Sequence, residues 1–130
     1  MTPFDTRLLP GDPTVSAPDG SRVRVLLELP GGGMAHFELP AGQVARAVEH
    51  RTVEELWYVL AGHGQMWRRQ DGREQVVELA PGMCLTIPLG TQFQFRAAPE
   101  RALEAVAVTM PPWPGEHEAT AVQGPWRATV

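Results

Sequence analysis

Turn-forming residues divide this chain into short segments, and that division constrains the fold more than any other feature of the sequence. Glycine and proline each occur 13 times in 130 residues, spread along the chain without a period. No segment between them shows a sustained helical period, and several alternate apolar with polar residues. We therefore expect many short strands joined by tight turns, which is typical of a closed β-sandwich or β-barrel.

The same pattern predicts where the strands lie. We expect strands at residues 22–29, 34–39, 43–50, 55–62, 65–70, 74–79, 83–88, 91–97 and 102–110, with Asp71-Gly72 as a hairpin turn. Residues 1–21 are expected to form an extended arm, residues 22–110 the barrel and residues 111–130 a proline-rich tail packed on it. Strand propensity alone does not separate a jelly roll from an immunoglobulin-like sandwich.

Two sequence motifs favour the jelly roll. Residues 42–62 read GQVARAVEHRTVEELWYVLAG, in which six residues separate Glu55 from Gly62. Residues 82–93 read GMCLTIPLGTQF and carry Gly82, Pro88 and Gly90. In order and spacing these stretches resemble the two motifs of the cupin superfamily, as a small single-domain cupin, over about residues 22–110. The resemblance implies an all-β double-stranded β-helix, or jelly-roll, barrel.

The resemblance also implies a metal held by three histidines and a glutamate, and here the sequence departs from the family. His50 and Glu55 match two of these positions, but Thr52 stands in place of the second histidine and Phe93 in place of the third. A phenyl ring has no lone pair for a metal. We therefore predict a degenerate site with no metal cofactor; the alternative is a divalent transition metal at His50 and Glu55.

A small-molecule pocket is the remaining expectation for the barrel interior. The family register implies that the pocket is lined by His50, Glu55, Trp57, Phe93 and Phe95. Apolar walls with a few polar groups are usual in such sites, and we expect His50 and Glu55 to form a hydrogen-bonded pair. No catalytic residue is predicted. The alternative is a collapsed barrel whose aromatic side chains only fill the core.

Two other side chains carry expectations of their own. His36, on the strand before the first motif, is a candidate to point inward. Cys84 is the single cysteine, so no intramolecular disulfide is possible, and its apolar surroundings predict a buried thiol.

Charge and hydropathy limit the partners and the cellular location that we expect for the protein. The formal net charge of −4 does not indicate a positively charged surface for nucleic acid. No apolar run approaches the roughly 18 residues of a membrane span, and the N-terminus lacks a signal-peptide pattern, so we expect a cytoplasmic protein. Leu56, Tyr58 and Leu60 would form an apolar outward stripe, which predicts a homodimer.

Three functions are open at this point. The favoured one is a stand-alone cupin-domain protein that binds a small molecule without a tightly bound metal. The second is a metal-dependent enzyme of the dioxygenase or isomerase type that uses His50 and Glu55. A regulatory sensor is the third, and it is weakened because no helix-turn-helix segment accompanies the barrel.

Overall fold

Eleven strands and no helix make up the protein, whose computed structural model describes all 130 residues. The strands are β1 (Val15–Ser16), β2 (Arg22–Leu29), β3 (Gly32–Leu39), β4 (Val48–His50), β5 (Glu54–Ala61), β6 (Gly64–Gln70), β7 (Arg73–Leu79), β8 (Cys84–Ile87), β9 (Gln92–Ala97), β10 (Leu103–Met110) and β11 (Ala119–Ala121). The prediction of an all-β chain is confirmed. The structure contains no helix of the length and apolarity needed to cross a membrane.

The strands form two antiparallel sheets. One has the order β1-β2-β3-β10-β5-β8 and the other β11-β4-β9-β6-β7. Consecutive strands such as β4 and β5 lie in different sheets, and β10 returns to lie between β3 and β5. The chain therefore crosses repeatedly between the sheets. This is the jelly-roll barrel that the sequence motifs predict.

Alternation along the strands places the core between the sheets. On β5, Glu55, Trp57 and Val59 are buried, while Leu56 and Tyr58 are exposed. This period of two follows from the pleat, which points successive side chains to opposite faces. Fifteen buried hydrophobic residues from both sheets form one core.

The strand predicted at residues 43–50 is mostly wrong, because only Val48–His50 joins a ladder. The backbone before it bonds to three different segments in turn. Ala45 donates to the Phe95 carbonyl, Arg46 donates to the Asp19 carbonyl, and the Ala47 carbonyl accepts from Val122. These hydrogen bonds go to three different segments, so residues 45–47 do not pair with a single neighbouring strand.

Both ends of the chain add to the sheets. Two short strands lie outside residues 22–110: β1 precedes Arg22, where β2 begins, and β11 follows Met110, where β10 ends. β11 pairs with β4, placing Ala119 opposite His50. Gln94 on β9 is buried. Its Nε2 donates to the carbonyl of Ala45 at 2.8 Å and to that of Trp126, in the tail, at 2.9 Å.

The expectation of a buried Cys84 is wrong. Its thiol is free and exposed. β8 is the edge strand of its sheet, and Cys84 lies opposite Tyr58, whose side chain also faces outward. An apolar sequence neighbourhood does not reveal which face of an edge strand a side chain occupies.

Candidate functional site

A cavity of about 130 Å³ lies inside the barrel, between the two sheets. Most of its wall is apolar and includes Val23, Ala35 and Val48. Its aromatic and titratable wall residues come from seven separate stretches of the chain: Asp19, Glu28, Phe37, His50, Glu55, Trp57, Phe93 and Trp113. The barrel is therefore not packed solid around the predicted pocket residues.

Glu55 is the polar group of β5 that faces this cavity, and only 4% of it is exposed. Its Oε1 accepts a hydrogen bond from Trp57 Nε1 at 3.2 Å, which is possible because residues two apart share one face of a strand. Burial raises the pKa of Glu55 to about 8; the Trp57 bond opposes this rise and the nearby Asp19 adds to it. The carboxyl is therefore mostly protonated at neutral pH.

His50 ends β4 and lies beside Glu55 at the cavity wall. Its ring lies edge-on to Phe93, with centroids 5.2 Å apart, and to Trp113 at 5.0 Å. Burial lowers the pKa of His50 to about 4, although the Glu118 carboxylate and the Val53 backbone act in the opposite direction. The imidazole is therefore neutral at pH 7.

The hydrogen bond predicted between His50 and Glu55 does not form. His50 Nδ1 lies 3.4 Å from Glu55 Oε2, which is contact distance for an ion pair. Nδ1 nevertheless has no hydrogen-bond partner, because distance without alignment does not make a bond. A neutral carboxyl and a neutral imidazole thus meet at the cavity wall, with one buried nitrogen unsatisfied. A buried proton donor beside an unpaired base is an arrangement suited to acid–base chemistry.

Four of the five predicted pocket residues line the cavity, and Phe95 does not. The Trp57 ring stacks on the Phe37 ring, with centroids 5.6 Å apart. It also makes a T-shaped contact with the Phe95 ring, with centroids 5.0 Å apart. Phe95 therefore lies behind Trp57 in the core and supports its position. His50, Glu55, Trp57 and Phe93 are brought together at the wall itself.

Among the wall residues that sequence reasoning missed are Asp19, Phe37 and Trp113. Asp19 is buried, and its Oδ1 accepts from Ser21 N at 2.9 Å and Ser21 Oγ at 2.6 Å. Burial raises the pKa of Asp19, against the lowering effects of the Ser21 bonds and of Arg46. In the sequence, Asp19-Gly20-Ser21 carries only the signal of a turn, and Trp113 carries only that of a proline-rich tail.

Thr52, which stands in place of the second histidine of the motif, is exposed and hydrogen-bonded to Glu118. Its backbone N–H donates to the Glu118 carboxylate at 2.9 Å, and its hydroxyl donates to the same group. Arg51 N donates to Glu118 Oε2 at 2.8 Å. Burial disfavours the charge on Glu118, but these hydrogen bonds and the nearby His50 lower its pKa below the ordinary value. The Thr52 side chain is thus engaged with the tail.

His36 is buried but does not reach the cavity. Its Nε2 lies 3.0 Å from Glu104 Oε1, and its Nδ1 lies 3.4 Å from Arg24 Nη1. In the sheet register His36 stands opposite Val106, which in turn stands opposite the outward Tyr58. His36 therefore belongs to the outer face, where it pairs with polar neighbours on both adjacent strands.

The donor set does not fit the metal centre of three histidines and a glutamate. No three His, Cys, Asp or Glu side chains lie close enough to share a metal ion. His50 and Glu55 are the two remaining donors of the motif positions, and the Phe93 ring stands beside His50. A phenyl ring cannot complete the coordination.

Comparison with known proteins gives a family and a fold. The sequence profile described as Cupin domain matches residues 35–109. No curated protein sequence matches the chain. Three solved structures illustrate the structural similarity. BH2720 from Bacillus halodurans has a TM-score of 0.64 and 21% identity, covering 76% of this chain and 75% of that chain.

Two further solved structures share this fold. A variant of Streptomyces Pac13 with uridine has a TM-score of 0.67 and 16% identity, covering 95% of this chain and 93% of that chain. Pac13 is described as a nucleoside dehydratase. KdgF from Halomonas sp. has a TM-score of 0.65 and 17% identity, covering 81% of this chain and 94% of that chain. Identities this low show a shared fold and leave activity to be argued from the site.

Proposed function

The chain belongs to the cupin domain family, and from that membership and its cavity we propose that it binds a small, largely aromatic molecule with one polar group, without a tightly bound metal. The size of the cavity supports a ligand of this kind. An apolar protein cavity of about 150 Å³ accommodates benzene, and this one measures about 130 Å³. A single aromatic ring therefore matches the available space.

One observation carries the proposal. His50 Nδ1 is buried, faces Glu55 at 3.4 Å and has no hydrogen-bond partner. A buried polar atom left unpaired typically costs about 1–3 kcal/mol, so native proteins rarely retain one without a partner from a ligand or water. A ligand hydroxyl or amine at this wall would satisfy Nδ1 while its ring contacts the aromatic side chains.

The metal-dependent alternative would use His50 and Glu55 as its only donors from the chain. Two donors leave most of the coordination to water or substrate, and structural and catalytic transition-metal sites typically have three or four protein ligands. Burial that neutralises Glu55 also disfavours the ionised carboxylate that a metal requires. We therefore favour the metal-free site. A cytoplasmic location remains part of the proposal.

The binding test uses benzyl alcohol, whose ring and single hydroxyl match the cavity. At pH 6 and in the presence of a chelator, we expect it to bind with a dissociation constant in the millimolar range or tighter, because a ligand of this size can gain roughly 0.3–1.5 kcal/mol per heavy atom. Titration calorimetry measures the affinity, and the indole N–H resonance of Trp57 reports the location. Binding that disappears with the chelator and returns with a transition metal would establish the metal-dependent alternative instead.

A matched pair of variants locates the ligand. Ala119 lines the cavity opposite His50, whereas Ala121 on the same strand is exposed and outside it. Ala119→Leu adds three carbons beside the unpaired nitrogen and should abolish benzyl alcohol binding. Ala121→Leu adds the same three carbons at the surface and should leave the affinity unchanged. Equal affinities in the two variants would place the ligand elsewhere.

We also propose that the protein is a homodimer through the outer stripe, defined as Leu56, Tyr58 and Leu60. These side chains are about half exposed, and Tyr58 is 50% accessible. Val106 and Val108 of β10 lie opposite Tyr58 and Leu56 and extend the apolar face across the middle of the sheet. Continuous apolar faces of this kind mark association sites. A second copy is the occupant that a self-complementary central stripe favours.

The expected mass of the assembly is twice the chain mass of 14.2 kDa. Light scattering at tens of micromolar should show the dimer, with an interface of about 1,000 Å² or more. Tyr58→Glu should shift it to a monomer, because a carboxylate in an apolar interface must be desolvated without a partner. Val76→Glu, at a similarly exposed position of the other sheet, is the control and should remain dimeric. A wild-type monomer at these concentrations would refute the proposal.

A further inference from the structure

The cavity wall carries acidic groups and no basic ones. Asp19 and Glu55 lie in the wall and the exposed Glu28 at its rim, whereas no arginine lines the cavity and the chain has no lysine. His50 is the only other titratable group of the wall, and burial lowers its pKa to about 4, so it is uncharged at pH 7. The wall therefore holds no positive charge that would repel a cation, and the Glu55 carboxyl, which burial keeps mostly neutral in the empty cavity, can ionise beside one.

The aromatic side chains of the wall favour the same kind of ligand. Phe37, Trp57, Phe93 and Trp113 all line the cavity. Aromatic faces attract cations, and tryptophan does so most strongly. Enclosure of a cation by aromatic rings and a carboxylate is a general way to recognise amines, because the rings replace part of the hydration shell without competing charges.

An independent observation comes from the unpaired acceptor. His50 is 7% exposed, and its Nδ1 has no hydrogen-bond partner. Glu55 Oε2 is 3.4 Å away and accepts no hydrogen bond from the protein, since the Trp57 indole donates to Oε1. An ammonium group has three N–H donors and no acceptor. It can donate to both of these atoms at once, which a hydroxyl, with its single donor, cannot do.

We propose that the ligand of this cavity is a small protonated amine carried on an aromatic or compact apolar group, with Glu55 as its counter-ion and His50 as a second hydrogen-bond acceptor. This inference deepens the proposed function and rests on it. The ring of the ligand contacts the aromatic wall, and its ammonium group donates from the cavity side to both Glu55 Oε2 and His50 Nδ1, which are 3.4 Å apart. Asp19 is assigned no contact with the ammonium group, because its Oδ1 is already bonded to Ser21.

The proposal predicts a proton release on binding. Glu55 gives its proton to solvent when the ammonium enters, so that a carboxylate faces the cation. Burial raises the pKa of free Glu55 to about 8. The affinity for the amine should therefore rise by up to tenfold per pH unit below 8 and level off above it. The charged or titratable groups that face this pair are Asp19, with Arg46 beyond it, Glu28 at the rim, and Glu118 beside His50.

Three probes of nearly equal size test the charge preference. Benzylamine is a cation below about pH 9, as expected for an alkyl amine; benzyl alcohol is neutral and benzoate is an anion. Calorimetry at pH 8.5 should give at least tenfold tighter binding of benzylamine than of benzyl alcohol, and no measurable binding of benzoate. At pH 6 the advantage of benzylamine should shrink at least tenfold. Measurements in two buffers of different ionisation enthalpy should show about one proton released near pH 6.5.

Matched variants identify the counter-ion. Glu55→Gln keeps an acceptor for the Trp57 indole but cannot ionise, so benzylamine should lose its tenfold advantage and its pH dependence. Glu54→Gln changes the neighbouring exposed carboxylate and should preserve both. If Glu55→Gln does not fold, the wild-type pH profile and the proton count decide the question.

The outcomes separate the inference from the proposed function. Benzyl alcohol or benzoate binding at pH 8.5 as tightly as benzylamine would overturn the amine inference and leave the pocket a binding site. A benzylamine affinity that is independent of pH, with no proton released, would overturn the role of Glu55 as counter-ion. Failure of all three probes to bind would overturn the proposed function together with the inference.

Discussion

Glu55→Gln is expected to be more stable than the wild-type protein at alkaline pH. This stability advantage should shrink as the pH falls. The folded protein holds the proton of Glu55 because burial raises its pKa to about 8, whereas the ordinary value is 4.5. Each pH unit between these values lowers the free energy of unfolding by about 1.4 kcal/mol. Glutamine cannot ionise, so the stability difference between variant and wild type should change by about 5 kcal/mol between pH 4 and pH 9.

His50 shapes the wild-type profile in the opposite direction. Burial lowers its pKa to about 4 from 6.5, so its neutral form contributes stability above pH 6.5 that is lost as the pH falls toward 4. Between about pH 4.5 and 6.5 the contributions of His50 and Glu55 cancel. From this pair alone, stability should be flat over that window and then decline to about pH 8.

Urea unfolding at half-unit pH intervals measures both profiles. The difference between wild type and Glu55→Gln isolates the Glu55 contribution, since Asp19 and His50 are present in both proteins. Glu54→Gln is the control, and its profile should run parallel to that of the wild type. A constant difference between Glu55→Gln and wild type from pH 4 to pH 9 would show that Glu55 is ionised in the folded protein.

Gly62→Ala should be the most destabilising small substitution in the first motif. Gly62 has a φ of +78°, and a Cβ there would lie 2.2 Å from the carbonyl oxygen of Ala102. A left-handed backbone costs an L-residue about 1–2 kcal/mol, and the clash requires the β9–β10 connection to move. We expect a loss of about 3 kcal/mol or more in the free energy of unfolding.

Gly72 supplies the control for this substitution. Its φ is +76°, almost the same, but nothing lies within 4 Å of a Cβ at that position. Gly72→Ala should therefore lose only the backbone contribution of about 1–2 kcal/mol. Chemical denaturation of both variants at one pH measures the two losses. Equal losses would mean that the Ala102 carbonyl shifts at no cost and that only the backbone conformation matters.

The strand pattern shows how far local information reaches. Eight of the nine predicted strands coincide with observed strands to within one or two residues at each end. Glycine and proline stop strands through their own backbone preferences, and alternation reflects burial of one face. The exception is the segment before Val48, where tertiary hydrogen bonds to Asp19, Phe95 and Val122 replace a continuous ladder.

The inward or outward direction of each β5 side chain was predictable for the same reason. The position of an inward side chain relative to the cavity was not. Glu55 and Trp57 are both inward, as alternation requires, and both line the cavity. Phe93 and Phe95 are also both inward on β9, yet Phe93 lines the cavity and Phe95 packs behind Trp57. The period of a strand specifies the face of a side chain, but the depth at which it meets empty space depends on the opposing sheet.

The amino-acid sequence alone determined the class of fold, the motif glycines and two polar groups of the site, because each of these depends on local backbone preference or on spacing along one strand. Only the tertiary structure decided that Asp19, Phe37 and Trp113 join the same wall, and that Thr52 is engaged with Glu118. Asp19, Trp113 and Glu118 lie outside both motifs in the chain. The electrostatic surroundings of Glu55 and His50 include such distant groups, Asp19 and Glu118 respectively, since an electrostatic field depends on separation in space and not on separation in sequence.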